Sequence, residues 1–318
     1  MNNLAIVFPG QGSQSVGMMA ALAESGPIVR ATFAEASSAL DYDLWQRVAA
    51  GPAEALNATA CTQPAMLAAG VATWRLWRER GGAPPGVVTG HSLGEFTALT
   101  VAGCFSFSDA IRLVKTRGEL MQAAVPAGSG AMAAVLGMDD ADLEAVCAEA
   151  AAGEVVEAVN YNSQGQVVIA GHATAVNRAI ALARARGAKR AVVLPVSVPS
   201  HSSLMRSAAE QMRLHLRDIA LRRPEITYIS AVDARAHSEP DDIREVLVRQ
   251  LASPVRWTQT VPALTAAGAT TLIECGPGKV LTGLNRRIEK RPEITCMALE
   301  DPASLEAALT HIRGMNHG

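Results

Sequence analysis

A serine framed by two glycines, at the end of a β-branched run, constrains the fold of this chain more than any other feature. Gly90, Ser92 and Gly94 form the pattern Gly-x-Ser-x-Gly, which follows the Val-Val-Thr stretch at 87–89 and precedes a helix-like stretch. A strand-to-helix turn this sharp strains its middle residue, and the glycines let neighbouring chain pass close. The serine then lies at a helix N-terminus, where free N–H groups favour developing negative charge. The pattern predicts an α/β fold with a nucleophilic serine, against the alternative of an ordinary Gly-Ser turn.

Composition excludes several classes of protein. The chain has 318 residues, of which 49% are hydrophobic and 18% charged, with a formal net charge of −2. These values indicate a large globular domain, alone or with a smaller companion, and no nucleic-acid partner. The apolar runs fall short of the ~20 residues that a membrane span requires, so we expect no membrane association. The 5 cysteines are scattered without a Cys-x-x-Cys pair, which predicts a cytoplasmic protein without a metal site.

Strand-like and helix-like stretches alternate along most of the chain. A buried strand at 4–8 is followed by helical patterns at 17–38, 64–80, 95–101 and 108–124. This alternation predicts a mostly parallel sheet with helices on both faces.

The segment 126–196 has a different order of elements, β-α-β-β-α-β, which is that of a ferredoxin-like subdomain. We therefore predict a large α/β domain built from residues 1–125 and 197–318, with a subdomain at 126–196 inserted into it. A groove between two such units is a common place for a functional site.

His201 is the best-placed base for Ser92 among the 7 histidines. A serine nucleophile requires a base. His201 opens a helix after a strand that ends at Pro199, and a helix N-terminus favours the neutral imidazole that a base requires. His91 is adjacent to Ser92 and is expected to pack or to contact substrate instead. A histidine at such a turn is as often structural as catalytic, and that alternative stays open.

Two helices carry a polar residue on an apolar stripe. Arg117 falls on the stripe that contains Val114 and Met121, and Gln250 shares a face with Leu247. A guanidinium at such a position requires an anion, which is either an internal carboxylate or the carboxylate of a substrate. The buried amide of Gln250 must likewise be hydrogen-bonded, and a satisfied core amide is the simpler alternative.

The turn Gly10-Gln11-Gly12 follows the first strand, so it is expected at the same sheet edge as Ser92. Backbone N–H groups of Gln11 and Leu93 could converge there as an oxyanion hole. The turn lacks the Gly-x-Gly-x-x-Gly spacing of a dinucleotide loop, because Ser15 stands where the third glycine is required.

With these residues in place, the sequence resembles the malonyl-CoA:acyl carrier protein transacylases of bacterial fatty-acid synthesis. The resemblance is collinear over almost the whole chain. Its segments are FPGQGSQSVGM, TQPAM, GHSLGE, GQVVIAG, VSVPSHSSLM, VRQLASPVRW and GPGKVLTGL.

The resemblance implies roles for the residues already singled out. Ser92 is implied to be the acyl-accepting nucleophile, His201 its general base and Arg117 the partner of the malonyl carboxylate. The backbone carbonyl of Gln250 is implied to orient the imidazole. The N–H groups of Gln11 and Leu93 are implied to form the oxyanion hole, and the cleft is implied to be lined by Gln63, Asn160 and Asn162.

The same resemblance implies a hydrolase-like α/β core with an inserted ferredoxin-like subdomain. It implies malonyl-CoA and acyl carrier protein as substrates, no cofactor, and a monomer that meets the carrier transiently. Because carrier proteins are acidic, we expect a basic docking patch. Two clusters qualify, Arg286, Arg287, Lys290 and Arg291, and Arg184, Arg186, Lys189 and Arg190.

Other functions stay open at this point. A serine thioesterase or esterase of α/β-hydrolase type predicts an HGGG-type oxyanion motif, which the sequence lacks. A non-catalytic docking module predicts loss of the nucleophile, the base or the arginine. A malonyl transferase could also serve a polyketide or malonate-decarboxylase carrier.

Overall fold

The structure is a computed structural model that describes residues 3–196 and 198–315. Residues 1, 2, 197 and 316–318, which the predicted domain bounds include, lie outside the described residues. The first strands are β1 (Leu4–Phe8) and β2 (Val87–Gly90). The helices around them are α1 (Ala20–Glu24), α2 (Pro27–Ser38), α3 (Leu44–Ala50), α4 (Ala53–Asn57), α5 (Thr59–Glu79), α6 (Gly94–Val101) and α7 (Phe107–Ala123).

The middle of the chain forms a separate antiparallel sheet. Its elements are β3 (Gly130–Leu136), α8 (Asp140–Ala151), β4 (Val156–Ser163), β5 (Gln166–His172), α9 (Ala173–Ala185) and β6 (Arg190–Val193). The strands lie in the order β4-β5-β3-β6, so β4 is at an edge.

After a 3₁₀ turn at Ser203–Met205, the chain returns to the first sheet. The remaining elements are α10 (Arg206–Arg217), β7 (Thr227–Ile229), β8 (Ala236–His237), α11 (Pro240–Gln250), α12 (Trp257–Ala266), β9 (Thr271–Glu274), α13 (Val280–Ile288), β10 (Thr295–Ala298) and α14 (Pro302–Met315). Among the described residues the larger sheet has the order β10-β9-β1-β2-β7-β8, and all its pairs are parallel except β7 with β8. The predicted mixed α/β architecture with a mostly parallel sheet is confirmed.

Two of the four predicted helices differ from the structure by more than one residue at an end. The helix expected at 17–38 is divided into α1 and α2, because Pro27 has no N–H to continue α1 and instead occupies the start of α2. The helix expected to begin at Pro64 begins at Thr59, and Pro64 lies within α5. Pro64 is the sixth residue of α5, past the first turn, so the helix lacks the bond that an N–H at this position would donate to the Ala60 carbonyl oxygen.

The pairing of β1 with β2 positions the site. The two strands run parallel, with Phe8 opposite Gly90. Their carboxyl ends therefore bring the Gly10-Gln11-Gly12 turn beside the Ser92 turn, as predicted, and the N–H of His91 donates to the Phe8 carbonyl oxygen over 3.0 Å.

The antiparallel sheet joins the larger body along β4. The N–H of Tyr161 donates to the Val255 carbonyl oxygen over 2.9 Å, and the N–H of Val255 donates to the Val159 carbonyl oxygen over 2.8 Å. None of the helices described here has the length and apolar character needed to cross a bilayer. Residues 3–196 and 198–315 also contain no group of three or more His, Cys, Asp or Glu side chains arranged to hold a metal ion.

Candidate active site

Ser92 occupies the strained turn that the sequence pattern predicts. Its φ is +53°, in the left-handed region that non-glycine residues rarely adopt. A Cβ atom on Gly94 would lie 2.0 Å from the Phe8 carbonyl oxygen, and one on Gly90 would lie 1.9 Å from the Gly94 carbonyl carbon. Only glycine therefore fits on either side of the serine, and the turn holds the hydroxyl at the carboxyl edge of the sheet.

His201 meets Ser92 although 109 residues separate them in sequence. Its Nε2 lies 2.7 Å from Ser92 Oγ, and its Nδ1 lies 2.9 Å from the Gln250 carbonyl oxygen. Because a carbonyl oxygen only accepts, Nδ1 carries the proton and Nε2 is free to accept the serine proton. Burial, and then the charge of Arg117, lower the pKa of His201 to about 3. The imidazole is therefore neutral at pH 7, as a base must be.

Arg117 extends from α7 to the same hydroxyl. Its Nη2 donates to Ser92 Oγ over 3.2 Å and to Gln250 Oε1 over 3.0 Å, and its Nη1 donates to Gln63 Oε1 over 2.9 Å. The side chain is buried, and Nε has no hydrogen-bond partner among the described residues. Burial lowers the pKa of Arg117 to about 10, so the group remains a cation at neutral pH.

The expected alternative of an internal ion pair for Arg117 is not found. Among the described residues, no carboxylate lies within 4.0 Å of its guanidinium nitrogens. The neutral oxygens of Gln63 and Gln250 hold it instead. A buried cation without a direct counter-ion is poised to bind an anion.

Glu95 is a buried carboxylate near the site that the sequence reasoning missed. Its Oε1 accepts from Gln250 Nε2 over 2.8 Å, and its Oε2 accepts from the Tyr228 hydroxyl. Burial raises the pKa of Glu95, and its charge in turn opposes the lowering at Arg117. The side-chain amide of Gln250 therefore links Glu95 to Arg117, and its Nε2 also donates to the Ser92 carbonyl oxygen over 2.9 Å. The available signal was a single charged side chain in the otherwise uncharged helix α6.

A cavity of about 430 Å³ opens in front of Ser92. Among the predicted site residues it is lined by Gln11, Ser92, Leu93, Arg117, Asn160 and His201. Its apolar wall consists of Met121, Met132, Leu194, Val196 and Val198.

The remaining predicted residues occupy different places. The backbone N–H groups of Gln11 and Leu93 have no acceptor among the described residues, and both residues line the cavity. Asn160 Oδ1 is buried without a partner in that part of the chain. Gln63 lies behind Arg117, and Asn162 contacts His91 Nε2 over 2.9 Å rather than lining the cavity.

Comparison with known proteins finds similarity to one family of enzymes over almost the full length of the chain. The profile of the acyl transferase domain family matches residues 5–299. The malonyl CoA-acyl carrier protein transacylase of Salmonella typhimurium is 54% identical over 310 residues, which cover 98% of this chain and 100% of the relative.

Solved structures give the same result. The crystal structure of malonyl-CoA:acyl carrier protein transacylase from Xanthomonas oryzae superposes with a TM-score of 0.95 at 52% identity, covering 98% of each chain. A malonyl-transacylase in complex with a type II PKS acyl-carrier protein, AntF, has a TM-score of 0.95 at 51% identity, covering 97% of this chain and 99% of that one.

Proposed function

This chain belongs to the acyl transferase domain family, and from that premise we propose that it moves the malonyl group of malonyl-CoA to the thiol of an acyl carrier protein. One observation carries the proposal. Ser92 Oγ lies 2.7 Å from the base nitrogen of His201 and 3.2 Å from the guanidinium of Arg117. The nucleophile, its base and a group that binds a carboxylate thus converge on one oxygen atom.

The first half-reaction forms a malonyl-serine ester. Ser92 Oγ attacks the thioester carbonyl carbon while its proton passes to His201 Nε2, which the Gln250 carbonyl oxygen holds in the required tautomer. The N–H groups of Gln11 and Leu93 stabilise the resulting oxyanion. The C–S bond then breaks, and the thiolate of coenzyme A takes the proton from His201.

The second half-reaction reverses these roles. The phosphopantetheine thiol of the carrier gives its proton to His201 and attacks the ester carbonyl carbon. The bond to Ser92 Oγ breaks, and the serine regains the proton. The carrier leaves as a malonyl thioester, with no cofactor consumed in either step.

Arg117 gives the reaction its substrate class. A malonyl carboxylate would supply the anion that the buried guanidinium lacks, whereas an acetyl group would leave the cation unpaired. The apolar wall of the cavity limits water around the ester, which favours transfer over hydrolysis.

We assign the finer architecture on the same premise. The large sheet with its helices corresponds to a hydrolase-like core formed by residues 1–125 and 197–318, and residues 126–196 to a ferredoxin-like subdomain. The order of β3 to β6 with α8 and α9 supports the second assignment. We propose a cytoplasmic monomer, and five free thiols support a reducing location.

We propose that the carrier docks on the basic cluster at the C-terminal end of α13, formed by Arg286, Arg287, Lys290 and Arg291. Arg286 and Arg287 are exposed and donate to neutral oxygens, those of Cys296 and Gln166. Neither forms an ion pair with a carboxylate in the part of the chain that the structure describes. In the same cluster Arg291 is paired with Glu289. The complex of a relative with a type II PKS carrier supports testing a polyketide carrier beside a fatty-acid one.

The experiment is a two-stage transfer assay. Labelled malonyl-CoA alone should add one malonyl group to Ser92, detected by intact mass and peptide mapping, and holo-carrier should then remove it. A Ser92→Ala variant should form no adduct. Rapid release of free malonate without any thiol acceptor would instead identify a thioesterase, and failure to form the adduct would identify a non-catalytic docking module.

A further inference from the structure

Strand β4 of the smaller sheet contacts two segments of the site, the one that carries His201 and the one that carries Ser92. Near its start, β4 carries Glu157, and near its end it carries Asn162. The Glu157 carboxylate accepts two hydrogen bonds from Ser203, from the backbone N–H over 2.7 Å and from the hydroxyl over 2.8 Å. Asn162 contacts His91, which precedes Ser92. A single strand therefore reaches both the segment of the base and the turn of the nucleophile.

The backbone between these contacts is also fixed. Val159 and Tyr161 exchange hydrogen bonds with Val255, five residues after Gln250. Register shifts along β4, between Ala158 and Asn160 and after Tyr161, interrupt the regular alternation of its side chains. Such irregularities re-aim side chains out of a regular sheet.

His201 requires external support because its backbone is strained. Its φ is +68°, which costs a non-glycine residue about 1–3 kcal/mol and persists only where the surroundings enforce it. On its N-terminal side the N–H of His201 donates to the Leu251 carbonyl oxygen over 3.1 Å. On its C-terminal side the two bonds from Ser203 to Glu157 hold the chain two residues later.

We propose that Glu157 is a positioning residue, which fixes the His201 segment so that Nε2 stays within reach of Ser92 Oγ. The smaller sheet then does more than cover the cavity, because its edge strand sets the spacing between nucleophile and base. This inference rests on the proposed function only in taking His201 as the base of Ser92.

The test measures how fast a fluorophosphonate phosphonylates Ser92, a reaction that needs the nucleophile and its base but no malonyl group. Glu157→Ala should slow it about 10- to 100-fold, since a displacement of about 1 Å has that effect on an aligned pair. Glu157→Gln can still accept from the N–H of Ser203 and donate to its hydroxyl, so it should stay within about threefold of wild type. Glu154→Ala is the matched control, because that carboxylate belongs to the same unit, is only partly buried and pairs with Arg178 at the surface.

Measuring phosphonylation in the His201→Ala background distinguishes an effect on the base from a general loss of structure. There, Glu157→Ala should cause no further loss, because a residue that acts through the base has nothing left to position. The ratio of malonyl to acetyl transfer should also stay at the wild-type value, since Arg117 is untouched.

Wild-type phosphonylation in Glu157→Ala, or an equal loss in the His201→Ala background, would overturn the inference. If Glu157→Ala does not fold, Ser203→Ala removes only the hydroxyl bond and should slow the reaction about 3- to 10-fold. If wild type is phosphonylated in a Glu157-dependent way but transfers no malonyl group, the proposed function fails while the inference stands.

Discussion

Removing the guanidinium of Arg117 should weaken the preference of the enzyme for malonyl over neutral acyl groups. The Arg117 side chain is 1% exposed, and its hydrogen-bond acceptors among the described residues are the uncharged oxygens of Gln63, Ser92 and Gln250. Breaking a buried ion pair by removing one partner costs about 3–5 kcal/mol. At 1.36 kcal/mol for each factor of ten, Arg117→Ala should lower kcat/KM for malonyl-CoA by roughly 200- to 5,000-fold.

Acetyl-CoA should respond in the opposite sense. In the wild type an acetyl group leaves the buried cation without an anion, and Arg117→Ala removes that cation. We therefore expect kcat/KM for acetyl-CoA to change little or to rise, so that the ratio of malonyl to acetyl kcat/KM falls by at least about the same factor. Arg117→Lys keeps the charge but not the planar fork, and it should lie between the two.

The assay is transfer from each thioester to holo-carrier, followed by mass spectrometry of the acylated carrier. The matched control is Arg112→Ala on the same helix, where the guanidinium side chain is 56% exposed and pairs with Asp109 at 2.7 Å. Such surface pairs contribute about 0–1 kcal/mol to stability, so this control should keep the wild-type ratio. A ratio for Arg117→Ala within threefold of wild type would refute the assignment of the guanidinium to the malonyl carboxylate.

Three further predictions concern the base, the turn and the carrier surface. The pKa of His201 is about 3 in the folded protein, against about 6.5 when unfolded. As the pH falls from 6.5 towards 3, only the unfolded state gains a proton there. Between pH 7 and pH 5, the free energy of unfolding should therefore fall by about 2 kcal/mol more in wild type than in His201→Asn. Urea denaturation at each pH measures this difference. An equal fall in the two proteins would contradict a buried, neutral imidazole. Gly94→Ala should destabilise the protein by about 3 kcal/mol in thermal unfolding, because the added Cβ would meet the Phe8 carbonyl oxygen of β1. Gly283→Ala is the control and should be tolerated, because its Cβ would have no neighbour within 4 Å. Arg286→Glu with Arg287→Glu should raise the KM for carrier about tenfold and leave acylation by malonyl-CoA unchanged; slowed acylation would count against this docking surface.

Features that depend on local sterics could be predicted from the sequence. The turn at Ser92 follows from glycine spacing, since only a residue without Cβ fits at Gly90 and Gly94. The parallel arrangement of β1 and β2 follows from the alternation of strands and helices. The interruption between α1 and α2 was missed, because the apolar pattern continues across Pro27 and the missing N–H was given too little weight.

For features that depend on distant parts of the chain, the sequence favours certain candidate residues but does not identify their partners in space. The turn at His201 favours it as the base, yet its distance to Ser92 is set by the packing of two segments that are 109 positions apart in sequence. The alternative of an internal ion pair for Arg117 could not be resolved from periodicity, which identifies a buried position but not what faces it. Glu95 was missed for the same reason, because its partners Tyr228 and Gln250 are 133 and 155 residues away.

The charge of Arg117 connects substrate binding to the strength of the base. Its field contributes to the low pKa of His201, and a weak base is a poor acceptor for the proton of serine or thiol. If the malonyl carboxylate pairs with Arg117 as proposed, it would offset that field, and we expect the pKa of His201 to rise. A neutral acyl group leaves the field in place and the base weak. We therefore expect the proposed discrimination by Arg117 to act on the proton transfers as well as on binding, and to change kcat as well as KM.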